Sequence, residues 1–131
     1  MASIFTRIIN REIPAYIVAE DEHHMAFLDI NPLVSGHTLV VPKQEVDYLF
    51  DLDPQAYSQL QLFSRKVAEG LKNAVPCLRI GVAVIGLEVP HCHIHLIPMN
   101  KMDDMNFSRP KLNPTPEQLA SVAKTIKETI I

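Results

Sequence analysis

The chain has 131 residues, 47% of them hydrophobic and 21% charged, with a formal net charge of −3. That is the composition of a globular protein with one modest core, and it excludes an electrostatic grip on nucleic acid or on a membrane surface. Its two cysteines, Cys77 and Cys92, form neither a disulfide framework nor a zinc-finger spacing, so free thiols in a reducing cytoplasm are expected.

Ser3 is placed to cap a short helix that carries Ile4, Phe5, Ile8 and Ile9 and ends before Pro14. The segment from Met1 to Arg7 lacks the apolar run of a secretory signal and is not expected to act as one. Residues 16–20 and 24–29 read as two strands joined by the polar turn Asp21-Glu22-His23. Asn31-Pro32 and Ser35-Gly36 punctuate a loop, followed by a third strand over 37–41 that Pro42 stops. From Asp53 the apolar residues take helical spacing. Asp53 suits the N-cap, Pro54 the first helical position, and Ala56, Leu60, Phe63, Val67 and Leu71 make one stripe before Pro76. Residues 78–85 are rich in β-branched side chains and are expected to pair with the histidine-bearing strand after them. A polar segment over 99–109 then crosses the surface. Thr115-Pro116-Glu117-Gln118 is a capping box that opens a last helix with Leu119, Val122, Ile126 and Ile130 on one side. The mixture implies an α+β domain on a mainly antiparallel sheet.

The most informative stretch is His91-Cys92-His93-Ile94-His95-Leu96-Ile97-Pro98. Read as one strand over 91–98, it places three imidazoles on one face, about 6–7 Å apart, and Cys92, Ile94 and Leu96 on the other. Imidazole near neutral pH serves as metal ligand, general acid, general base or nucleophile. Two chemistries therefore fit: metal binding, or acyl or phosphoryl transfer in which one ring attacks while its neighbours position and donate protons. For a metal, Cys92 points away and His37 or water would have to complete the set. His23 and His24 sit in a turn and receive no role.

His91 to Ile97 resembles the signature of the histidine triad (HIT) superfamily: three histidines separated by apolar residues, then two more apolar residues. Ser3-Ile4-Phe5 through Ile13-Pro14-Ala15, Phe27 through Pro32, and His37 through Lys43 follow the nucleotide-binding branch of that family in order and spacing. The resemblance implies a single HIT domain over 1–131, with a five-stranded, mainly antiparallel sheet, a long helix and a short N-terminal helix; the last helix, read from its capping box, is a C-terminal extension over 114–131. It implies that His93 attacks the α-phosphorus of a nucleotide to give a covalent nucleotidyl-histidine that water cleaves. The carbonyl of His91 would fix the other nitrogen of His93. His95 would contact the phosphate and serve the leaving group, and His37 would brace the triad. Asp29 would hold ribose hydroxyls, while Ile4, Phe5, Ile8, Phe27 and Ile30 would form the apolar cleft for a purine. No metal and no cofactor are expected.

Three departures bear on specificity. Gly86-Leu87-Glu88-Val89-Pro90 precedes the triad, where nucleotide-binding relatives carry Gln and Ser or Thr toward the phosphate. Glu88 there would repel a phosphate unless it turns away, takes a proton or meets a cation, and it would suit the ammonium of an aminoacyl adenylate. Leu28 replaces a polar residue before Asp29, and no Trp closes the chain, which ends in a helix instead. The expected activity is metal-free release of nucleoside 5′-monophosphate from purine nucleoside phosphoramidates or acyl-nucleotides. The alternatives are dinucleoside polyphosphate hydrolysis, or nucleotide-dependent regulation with little turnover. A cytoplasmic homodimer is expected, with Leu62, off the core stripe, toward the partner; neither nucleic acid nor membrane is an expected partner.

Overall fold

The computed structural model describes residues 2–130. Helix α1, Ile4–Ile9, starts where the Ser3 hydroxyl accepts the Thr6 N–H, so the expected cap forms. Strands β1 (Ile17–Glu20), β2 (His24–Leu28) and β3 (Thr38–Pro42) follow, then helix α2 (Pro54–Ala74), strands β4 (Arg79–Ala83) and β5 (Ile94–Met99), and helix α3 (Pro116–Thr129). Asp53 accepts the Ala56 N–H at the head of α2, and Thr115 and Gln118 bond reciprocally at the head of α3. Each such cap is worth about 1 kcal/mol.

The five strands form one antiparallel sheet in the order β1-β2-β3-β5-β4. Directly paired residues share a face, so the register sorts the sheet into two surfaces. Ala26, Val40 and Ile94 lie in one row and face α2 and α3, where Leu60, Phe63, Val67, Leu71, Leu119, Ala123 and Ile126 complete the larger core. Leu60 is fully buried there, and cutting it to Ala costs about 2–5 kcal/mol. Phe27, Leu39 and His95 form the adjacent row on the opposite face. Phe5 and Ile8 of α1 pack on that side with Met25, Phe27, Leu39 and Val41. The histidines thus belong to the face covered by the short helix.

Two boundaries differ from expectation. The histidine segment becomes a strand only at Ile94, so His91 and His93 precede β5 rather than lie within it. The reason is local: the His91 N–H turns back to the Val89 carbonyl at 2.8 Å and the Cys92 N–H goes to Val46 at 2.7 Å, which takes both off the ladder. His37 likewise stands just before β3, delivered by Gly36 at φ +93°, a turn in which a Cβ would come within 3.0 Å of Val75. The polar segment over 99–109 contains a 3-10 turn, Met102–Met105, held by the buried carboxylate of Asp104. Among the described residues, no helix is long and apolar enough to cross a membrane.

Candidate active site

His37, His91, His93 and His95 are all at least 92% buried. Their hydrogen bonds assign a proton to one nitrogen of each ring, because a carbonyl oxygen only accepts and an amide N–H only donates. Nδ1 of His93 lies 2.8 Å from the His91 carbonyl, so it carries a proton, and in the neutral ring Nε2 holds the lone pair. The Leu33 N–H donates to Nδ1 of His37 at 3.1 Å, so neutral His37 is protonated on Nε2 and donates to Nδ1 of His95 at 2.9 Å. That leaves the proton of neutral His95 on its Nε2. The cluster therefore holds one imidazole with an open lone pair and, with ring centroids 5.0 Å apart, one with an available N–H. An imidazole lone pair beside an N–H donor follows from two main-chain contacts and the His37–His95 hydrogen bond.

Burial keeps the rings of His37, His91 and His95 neutral. It pulls the His37 pKa down to about 3 and that of His95 to about 4, with further lowering by the neighbouring histidines. His91 is lowered by burial as well. Its Nε2 donates to the Pro42 carbonyl at 2.8 Å, and Nδ1 accepts from the Ser3 hydroxyl at 2.8 Å. Glu45 completes that corner by accepting the Ser3 N–H at 2.7 Å and the Thr6 hydroxyl at 2.6 Å, which holds its carboxyl well below the usual range.

The predicted cleft residues divide. Phe5 stands edge-on to His93 at 4.9 Å, to His91 at 5.8 Å and to Phe27 at 5.5 Å, and Ile8 is buried beside them. Ile4 and Ile30 are instead 48% and 56% exposed, outside the packed cluster. Asp29 is half-buried, with one oxygen on the Asn31 N–H at 2.9 Å and the other 3.8 Å from Nε2 of His37. Burial raises its pKa. Glu88 is exposed on the loop before the triad, and its charge reaches Asp29. His24 lies away from the cluster, bonded to Asp21 and stacked on Phe63.

Asp29, His37 and His95 offer ligand atoms within 4.8 Å of one another. His37 and His95 spend two of those atoms on their mutual hydrogen bond, so a cation would have to displace that proton. A cavity of about 660 Å³ opens on the helical side of the sheet and shares Asp29 and His37 with the cluster, but none of the three triad histidines. Ser3, Thr6 and Glu45 around His91, and Phe107 4.9 Å from His95, were not among the predicted site residues. Ser3 was legible only as a helix cap; the other three carry no local signal.

The model of the HIT domain family matches residues 10–102, more than half of the chain. The chain belongs to the HIT family. It is 37% identical over 135 residues to an uncharacterised HIT-like protein of Borreliella burgdorferi, an alignment covering 97% of each. It is 34% identical over 98 residues to the adenosine 5′-monophosphoramidase HNT1 of Saccharomyces cerevisiae, covering 74% of this chain and 62% of that protein. The fold superposes on a hypothetical histidine triad nucleotide-binding protein of Sulfolobus tokodaii with a TM-score of 0.83, at 32% identity, over 96% of this chain and 90% of the other. As a HIT protein, the chain joins a family that includes a nucleotide phosphoramidase. Helix α3 lies beyond the matched segment.

Proposed function

We propose that this HIT protein is a metal-independent hydrolase that cleaves the bond to the α-phosphate of purine nucleoside phosphoramidates or acyl-nucleotides and releases the nucleoside monophosphate. The observation that supports this reading is the proton assignment in the cluster: a free lone pair on Nε2 of His93 beside an N–H on Nε2 of His95.

In this reading His93 Nε2 forms a bond to the α-phosphorus as the leaving group's bond breaks, and the His91 carbonyl steadies the positive charge that builds on the ring. His95 donates its hydrogen bond to the departing atom. An acyl group leaves as a carboxylate and needs no proton, whereas an amine takes one up from solvent. Water then attacks phosphorus, the P–N bond returns its electron pair to Nε2, and a proton passes to solvent. Asp29 accepts from ribose hydroxyls, as a short carboxylate does well. Phe5, Ile8 and Phe27 form the inner apolar wall for the purine, with Ile4 and Ile30 at its open rim. His37 orients His95, and Glu88 lies toward the leaving-group side.

A homodimer is part of the proposal. Strand β4 is a sheet edge on which Val82 is 60% exposed, with Leu78, 71% exposed, just before it, and Leu62 on α2 is 63% exposed. An apolar edge strand of this kind is ordinarily covered. A cytoplasmic setting fits the two free thiols.

The test is AMP release from adenosine 5′-phosphoramidate in excess chelator, wild type against His93→Ala. Release by wild type alone supports the reading. Tight AMP binding without release favours a nucleotide-dependent regulator, and release that chelation abolishes favours metal chemistry.

A further inference from the structure

Beyond β5 the chain builds a strap across the edge of the active site. The carboxylate of Asp104 takes the N–H groups of Asn100 and Lys101 at 2.8 and 3.2 Å and starts the strap with a fixed turn. Arg109 ties its middle to Asp103 at 3.2 Å and to the Leu33 carbonyl. The Leu112 N–H ends it on the Pro32 carbonyl at 2.9 Å. Between these anchors Phe107 stands edge-on to His95 at 4.9 Å and to His37 at 6.3 Å. Lys111 then folds back over Phe107, with Nζ 5.9 Å from the ring centre and bonded to the Phe107 carbonyl at 2.6 Å. Phe107 thus meets both the Lys111 ammonium and the His95 ring.

The charges around that ammonium pose a problem for an anionic substrate. The buried rings of His37, His91 and His95 are held neutral, while Asp29 and Glu88 contribute negative charge. A nucleotide phosphate entering such a site meets repulsion unless a cation offsets it. Lys111 is a cation whose field reaches both Asp29 and His37. Its hydrogen bonds go to carbonyl oxygens, which hold the charge in place without cancelling it. The side chain is exposed, and its four-carbon stem lets the ammonium swing toward an arriving phosphate.

We propose that Lys111, held over Phe107 by the strap, is the electrostatic anchor for the substrate phosphate and makes the site select nucleotides over nucleosides. The inference rests on the nucleotide-hydrolase reading and adds a binding residue from outside the segment that the family model matches. Binding energy from Lys111 acts on the phosphate and not on the base or ribose, so its effect separates by ligand.

The experiment is calorimetric titration of wild type, Lys111→Gln and Lys111→Arg with AMP and with adenosine, at low and at physiological salt. Lys111→Gln is expected to weaken AMP about fivefold at low salt, less at physiological salt, with adenosine unchanged and Lys111→Arg near wild type. Equal weakening of AMP and adenosine would mean a merely structural strap and overturn the proposal, as would unchanged AMP affinity in Lys111→Gln. Wild type that binds neither ligand takes down the nucleotide-hydrolase reading itself, an outcome distinct from both.

Discussion

The hydroxyl of Ser3 lies 2.8 Å from Nδ1 of His91, 88 residues further along the chain. The same hydroxyl caps α1 by accepting the Thr6 N–H at 3.0 Å. One oxygen therefore starts a helix and pins the residue whose carbonyl holds His93. Ser3→Ala removes the cap and leaves a buried ring nitrogen short of its donor. A loss of about 1–3 kcal/mol is expected in urea denaturation. On the proposed activity, turnover should fall through kcat more than through KM, because the His91 carbonyl that holds Nδ1 of His93 is less firmly anchored.

The neutral histidines predict an acid-sensitive fold. A ring whose folded pKa is depressed binds fewer protons than the unfolded chain, so its stability is intact above about pH 6.5 and drains as pH falls toward the folded value. For His95 and His37 that drain runs from about 6.5 down to about 4 and about 3. The lowered carboxylates, such as Glu20 with its ordinary value of 4.5, begin to lose their contribution lower still, and Asp29, raised by burial, works the other way. Unfolding free energy measured at pH 7 and pH 5 should therefore differ by on the order of 2–4 kcal/mol, the protein being weaker at pH 5. A flat profile across that interval would mean that the rings are solvated.

Asp29 does two jobs with one carboxylate. Its contact with the Asn31 N–H shapes the loop, and its second oxygen is the proposed ribose acceptor. Asp29→Asn can keep an oxygen for the loop contact while losing the charge. AMP affinity should fall about tenfold and the affinity of a nucleotide lacking both ribose hydroxyls should hardly change. Titration of the two ligands into the variant checks this.

The exposed apolar edge predicts self-association through α2 and β4. Val82→Arg and Leu62→Arg together should shift the sedimentation coefficient from dimer to monomer. Identical sedimentation of variant and wild type would place the interface elsewhere.

The two cysteines should differ in reactivity. Cys92 is buried in the core, and burial pushes its thiol up to about 11, whereas Cys77 is only half-buried. A thiol reagent on the native protein should titrate one group, with the second reacting only in denaturant.

Much of the fold was legible because its signals are local. The caps at Ser3, Asp53 and Thr115 each act within three residues, and all three form as the sequence predicts. The stripe Leu60, Phe63, Val67 and Leu71 needs only helical spacing to be read, and these residues are buried together. The division of Phe5, Ile8 and Phe27 from Ile4 and Ile30 was not legible, since burial depends on which face the sheet offers to α1. Glu45 looks like any surface glutamate until Ser3 and Thr6 arrive from 42 and 39 residues away. The strap was readable only as a polar surface segment, because nothing in its composition says that Phe107 will meet His95.

The spelling of the triad hides a division of labour. Three identical letters repeat at equal intervals, yet the first of them contributes to the proposed reacting centre only its main chain, which every amino acid possesses. What is particular to His91 is that its side chain accepts from Ser3 while it donates to Pro42, a task of anchorage. A different side chain able to span the same donor and acceptor would leave the proposed nucleophile at His93 untouched. The tolerance of position 91 to replacement is therefore governed by carpentry rather than by reactivity, and it should be wider than that of position 93.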